Sequence, residues 1–112
     1  ITIRDDLFER YRSSEDFIQK YIFPGGFLPS LGFMKSLIKK NNLNLLKVNS
    51  YPDDYAKTLA TWRENFLKVW SNIAPLGFDE TFKRMWEFYL SYCEAGFKSK
   101  NIDLIQFSMS NK

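Results

Sequence analysis

The stretch Lys20 to Ser30, KYIFPGGFLPS, constrains the fold more than any other part of the chain. Proline fixes φ and removes a donor while glycine frees φ, so Pro24-Gly25-Gly26 and Pro29 end any helix arriving from Asp16 and impose a shaped turn. The turn is apolar: Tyr21, Ile22, Phe23, Phe27 and Leu28 sit where a connector is normally polar. Two readings stand open. Phe23 and its neighbours either tuck beneath the domain as a plug, the commoner fate of large apolar side chains, or line a site for an apolar ligand or a bilayer.

Hydrophobic periodicity organises the rest. Ile1 to Ile3 reads as the end of a strand, followed by a charged loop, RDDLFERYRSSEDF, and by one or two helical turns capped by Ser14. A helix is expected from about Ser30, with Leu31, Met34, Leu37 and Ile38 on one face and Asn41-Asn42 as its stop. A strand follows over NLLKVNSY. Pro52, Asp53 and Asp54 then open a long helix to about Asn72, because proline suits a first turn and carboxylates there complement the helix dipole. Its apolar stripe is Tyr55, Leu59, Trp62, Phe66, Val69 and Trp70. After the APLG break, Asp79 caps a last helix with the stripe Phe82, Met85, Trp86, Tyr89, Cys93 and Phe97, and with Glu80, Glu87 and Glu94 on its solvated side. The closing IDLIQFSMS alternates as a strand. Three strands among helices imply an α/β sheet, yet three make a poor open sheet and the Gly-rich phosphate turn after a first strand is missing.

Composition excludes several function classes. The 112 residues suit one domain. A formal charge of +3 from 16 basic and 13 acidic residues, with no basic run longer than Lys39-Lys40, is too dilute for a nucleic-acid stripe but allows mild attraction to anionic lipid. With no histidine and one cysteine, Cys93, the chain holds no disulfide, no zinc site and no histidine acid or base. No apolar run nears the roughly 20 residues of a membrane span, and no signal-peptide pattern opens the chain. A cytoplasmic location is expected. The start at Ile-Thr-Ile without methionine is what a fragment would have, and an unpaired strand there invites association with another copy.

Single residues leave choices open. Tyr55, in the first turn of its helix, is either a core tyrosine with a backbone-bonded hydroxyl or a donor to a bound anion near the positive helix end. Tyr89, Cys93 and Phe97 form one ridge at i, i+4 and i+8, which is ordinarily core. Cys93 has rings around it rather than a base, so it is not expected to act as a nucleophile.

Taken together, KYIFPGGFLPS, DDYAKTLATW, FKRMWEFYLSYCEAGF and IDLIQFS resemble, in order and spacing, the C-terminal part of the cyclopropane-fatty-acyl-phospholipid synthases, including the mycolic-acid cyclopropane synthases. The resemblance implies an α/β fold, the C-terminal half of a seven-stranded, Rossmann-like S-adenosylmethionine-dependent methyltransferase sheet. Residues 1–112 would be the C-terminal part of a single methyltransferase domain whose cofactor-binding N-terminal half is absent. Its three strands would share one sheet, with the last strand antiparallel and between the other two.

The same resemblance implies the chemistry: methyl transfer from S-adenosylmethionine to the double bond of an unsaturated phospholipid acyl chain, then proton loss to close a cyclopropane ring. Tyr55 would help hold a bicarbonate ion that serves as the base, and Phe23 would stand beside the reacting methyl group as a cation–π partner. Leu59, Tyr89, Cys93 and Phe97 would line the acyl pocket. This chain alone would bind neither S-adenosylmethionine nor bicarbonate and would be inactive. The expected partners are phospholipid acyl chains at a peripheral membrane surface and further copies of the chain. The alternatives are a non-catalytic lipid- or partner-binding module, or a related methyltransferase acting on small amines.

Overall fold

Residues 1–112 are described by a computed structural model. The chain starts with strand β1 (Thr2–Ile3), a 3-10 turn (Asp5–Leu7) and helix α1 (Phe8–Arg12). The stretch expected to be a charged loop is therefore partly helical. Its organiser is Phe8, buried against Phe27 (ring centroids 5.7 Å) and Phe33 (5.3 Å). Ser14 is no N-cap: its hydroxyl donates back to Arg10 O and closes α1. The cap two residues on is Asp16, whose Oδ1 accepts from Gln19 N–H at the entrance to a π-helical turn over Ile18–Ile22.

Helix α2 (Leu31–Lys40) is capped by Ser30, whose hydroxyl accepts from Phe33 N–H, and ends where Asn42 adopts φ 57°, a left-handed stop that asparagine tolerates. Strand β2 (Leu43–Ser50) leads to α3 (Pro52–Lys68). The long helix does not reach Asn72. It breaks at Val69, and a short α4 (Trp70–Ile73) folds the Trp70 ring back onto Phe66 at 5.6 Å. The apolar stripe fades there too, with Trp62 and Val69 exposed. Asp79 caps α5 (Glu80–Lys98) through Phe82 N–H, as its position predicts.

The terminal run splits at Leu104 into β3 (Ile102–Asp103) and β4 (Ile105–Asn111). β3 pairs antiparallel with β1, and β4 pairs antiparallel with β2. The antiparallel direction is as expected, but the single three-stranded sheet is not formed: there are two two-stranded ladders. β1 is only two residues long, and its pairing ends before that of β2 begins. At the junction Leu104 turns toward the helical core, its carbonyl accepts from Tyr51 N–H (2.9 Å), and Ser50 Oγ donates to Asp103. A bulge between Leu45 and Lys47 leaves Leu46 unpaired. β1 is no bare edge at Ile3, whose N–H donates to Pro29 O on the side away from β3.

The core lies between α3 and α5, where Ala56 and Leu59 meet Leu90, Cys93 and Phe97. The pairings run from Asp53–Lys100 through Arg63–Glu94 to Phe66–Phe82, so the two helices are antiparallel. Glu94 does not belong to the solvated side. It is buried, with Arg63 of α3 at 2.6 Å and Lys98 at 2.7 Å. Arg63 also donates to Ser91 Oγ.

The accessible surface of 7672 Å² exceeds the roughly 6,500 Å² of a compact monomer of this mass, and the 16.9 Å radius of gyration exceeds about 13 Å. Much apolar surface thus stays open, including Leu46, Phe107 and Met109 on the β2/β4 ribbon.

Removing one partner of a buried pair leaves the other charge uncompensated. Glu94→Ala should therefore cost about 2 kcal/mol in urea unfolding, because Arg63 is only partly buried, whereas Lys98→Ala should stay within about 0.5 kcal/mol. The Lys98 hydrogen bond, with Arg63 behind it, holds the Glu94 carboxyl below its usual range. Its contribution is then present above the unfolded value of 4.5 and is lost as the pH falls through the lower folded value. Wild-type protein should lose stability below about pH 4.5 more steeply than Glu94→Gln, read from melting temperature against pH.

Candidate functional site

Three elements converge on one cavity of about 180 Å³. α3 presents Tyr55, Leu59 and Trp62, which share a face because they lie at i, i+4 and i+7. α5 presents Tyr89, Cys93 and Phe97 on the same principle. The roof is the segment from Asp16 to Leu28, which brings Phe23, and Ile1 and Ile102 close the side toward the strands. All six residues singled out in the sequence, Phe23, Tyr55, Leu59, Tyr89, Cys93 and Phe97, line this space.

The apolar turn is therefore no buried plug. Phe23 is 57% exposed and meets Tyr89 edge-on at 6.3 Å. Its position follows from the chain around it. Gly25 has φ +80°, and Gly26 N–H donates to Phe23 O at 2.8 Å; a Cβ on Gly26 would lie 2.8 Å from that same carbonyl. Both glycines are thus required by the turn.

Tyr55 packs edge-on to Phe97 (4.8 Å) and Trp62 (5.9 Å). Its hydroxyl makes no hydrogen bond within the chain, so the backbone-bonded core tyrosine is not what forms. Tyr55 is among the residues that line the cavity. Asp53, which would oppose an anion at this helix end, has its charge paired with Lys100 at 3.1 Å. Asp54, the second carboxylate of this first turn, has no such cationic partner.

Of the 16 lining residues, 13 are hydrophobic, so the cavity is suited to apolar contact. Burial pushes the Tyr89 phenol up to about 12, with Cys93 and Tyr55 adding to it. Burial likewise pushes the Cys93 thiol up to about 11, partly offset by its hydrogen bond with Tyr89. Both groups are thereby held in their neutral forms at physiological pH. No group of three His, Cys, Asp or Glu side chains is placed to hold a metal ion.

Asp16 and Gln19 are the two cavity residues of ordinary polar type, and sequence reasoning passed over both. Their signal was present as D-x-x-Q ahead of an apolar run, the pattern of a reciprocal helix cap. Placing the cap at Ser14 concealed it.

The sequence profile of the family described as mycolic acid cyclopropane synthetase matches residues 1–107. A tuberculostearic acid methyltransferase of Mycobacterium tuberculosis is 44% identical over 99 residues, which cover 88% of this chain and 23% of that protein. The cyclopropane-fatty-acyl-phospholipid synthase of Escherichia coli K12 is 35% identical, over 86% of this chain and 25% of its own length. The chain thus spans about a quarter of the curated relatives it matches. Among solved structures, the mycolic acid cyclopropane synthase CmaA1 complexed with SAH and CTAB superposes with TM-score 0.79 at 30% identity, covering 93% of this chain and 35% of that one. The cyclopropane synthase MmaA2 from Mycobacterium tuberculosis gives 0.77 at 28%, covering 90% and 34%. The α/β arrangement is therefore part of a methyltransferase fold.

The raised values of Cys93 and Tyr89 lie above those of an unfolded chain, 9.0 and 10.0, so their neutral forms stabilise the fold fully below about pH 9. That contribution is lost as the pH rises from about 9 toward 12. Alkylation of Cys93 by iodoacetamide at pH 8 should run about 100-fold slower than that of a free thiol, since the thiolate fraction falls tenfold per unit. The rate should rise about tenfold per pH unit and level off only near pH 11, whereas a free thiol levels off near pH 9.

Proposed function

The chain belongs to the mycolic acid cyclopropane synthetase family, and on that premise we propose that it forms the lipid-pocket side of an S-adenosylmethionine-dependent methyltransferase acting on the double bond of an unsaturated phospholipid acyl chain. Residues 1–112 form the C-terminal part of a single methyltransferase domain, and the cofactor site is built by residues outside them. The observation that carries this reading is the convergence of Phe23, Tyr55, Leu59, Tyr89, Cys93 and Phe97 on one cavity with an apolar lining.

In the complete enzyme, S-adenosylmethionine supplies the methyl group and bicarbonate takes up the proton lost on ring closure. Leu59, Tyr89, Cys93 and Phe97 hold the acyl chain and keep water from it. The neutral state of Cys93 matters here, because a thiolate would compete with the double bond for the methyl group. Phe23 offers a π surface to positive charge developing on the acyl carbon. Tyr55, whose hydroxyl has no partner within the chain, would hold the anion by donating to it, and the anion bound there would supply the base. Lys20, Tyr21, Phe23 and Phe27, exposed around the roof, suit peripheral contact with a bilayer. No helix is long and apolar enough to cross one.

Tyr55→Phe, made in an enzyme of the relatives' full length carrying this chain, separates this role from packing. The ring contacts with Phe97 and Trp62 survive, so the melting temperature should barely move. Turnover should fall roughly 100- to 1000-fold, the effect of losing one preorganised donor. Near-normal turnover at saturating bicarbonate, with a clear drop in melting temperature, would overturn the assignment.

A further inference from the structure

The roof of the cavity is tied down by one run of hydrogen bonds. Gln19 N–H donates to Asp16 Oδ1 at 2.8 Å, and Asp16 N–H donates to Gln19 Oε1 at 3.0 Å. Gln19 Nε2 then crosses to the Pro-Gly turn and donates to Gly26 O at 3.2 Å. At the other end the Tyr92 hydroxyl on α5 donates to Asp16 Oδ2 at 3.3 Å. The run links α5, the entrance of the π-turn and the far side of the Pro-Gly turn.

Phe23 lies between the two points this run joins. Its N–H donates to Ile18 O at 2.8 Å, within the π-turn, and its carbonyl accepts from Gly26 N–H at 2.8 Å. Ile18 adjoins Gln19, and Gly26 is the residue Gln19 holds. The reciprocal bonds also explain how two polar side chains can border an apolar cavity: they satisfy each other and the backbone instead of facing it unpaired. An aromatic ring that must meet a developing cation needs its loop fixed to a fraction of an ångström. We propose that Gln19 is a positioning residue for Phe23, anchored through Asp16 to Tyr92 on α5; this inference rests on the role given to Phe23 above.

The test uses the enzyme of the relatives' full length carrying this chain, with vesicles of unsaturated phospholipid as substrate. Gln19→Met keeps length, bulk and the backbone N–H that donates to Asp16 Oδ1, but loses the two side-chain bonds, to Asp16 N–H and to Gly26 O. It should lower kcat about tenfold while KM for the phospholipid stays within about twofold. Trypsin should cut after Lys20 several-fold faster, a readout that needs no catalysis. Combined with Phe23→Leu, which is itself slow, Gln19→Met should cause no further loss, because both act through one ring.

A wild-type kcat for Gln19→Met beside a slow Phe23→Leu would overturn the inference and leave the role of Phe23 standing. Multiplicative losses in the double variant, or unchanged cleavage after Lys20, would overturn it equally. A wild-type kcat for Phe23→Leu would instead remove the role of Phe23 and the inference with it. Should Gln19→Met not fold, Tyr92→Phe carries the same test from the far end of the run. It should cost about threefold in kcat, again without adding to Phe23→Leu, and additivity or a wild-type rate would overturn the inference.

Discussion

The close approach of α3 and α5 at Ala56 sets the position of everything around it. Ala56 is 1% exposed and brings no side chain beyond its methyl group, so the helices meet backbone to backbone at the end where Tyr55, Leu59 and Phe97 lie. Burying Leu59, Leu90 and Phe97 there contributes about 2 kcal/mol each, an upper bound because the unfolded chain already buries part of this surface. Tyr55 packs against this contact through Phe97 and lines the cavity beside it. A larger residue at Ala56 would separate the wall of the site from its floor before it disturbed any ring directly.

Charge is distributed around this contact by burial. The pairs Arg63–Glu94 and Asp53–Lys100 each join α3 to α5 or the residues just after it, and neither borders the cavity. The acidic residue of the cavity lining, Asp16, is already engaged by Gln19 and Tyr92. The cavity therefore holds no unpaired carboxylate. The helical ends carry the electrostatics of the fold and leave the cavity to apolar contact.

How much of this was legible in the sequence differs by element. α3 and α5 were readable because their stripes repeat at three and four, and that same repeat placed Tyr55 with Leu59 and Tyr89 with Cys93 and Phe97. Glu94 was misread for a related reason. Residues seven apart drift about 20° per heptad around a straight helix, so the line from Glu80 through Glu87 has rotated by Glu94 into the groove facing Arg63. Phe8 was hidden because its partners Phe27 and Phe33 are distant in sequence and the helix around it is only five residues long. The split of the last strand depends on where β1 and β2 stop, a tertiary fact that alternation within IDLIQFSMS does not encode.

The π-turn over Ile18–Ile22 gives the roof a property unlike that of ordinary loops. Its closing bond spans from Ile18 O to Phe23 N–H, one residue more than an α-helical turn would enclose. Where Phe23 emerges is thus fixed by counting residues as much as by their identity. Loss of a single residue within the turn would let it relax to the ordinary helical bond and swing the following side chain by about 100°, the rotation per residue of an α-helix. Surface connectors usually accept changes of length and resist little else. Here the length is constrained instead: the π-turn ties the position of Phe23 to the number of residues between Asp16 and Pro24.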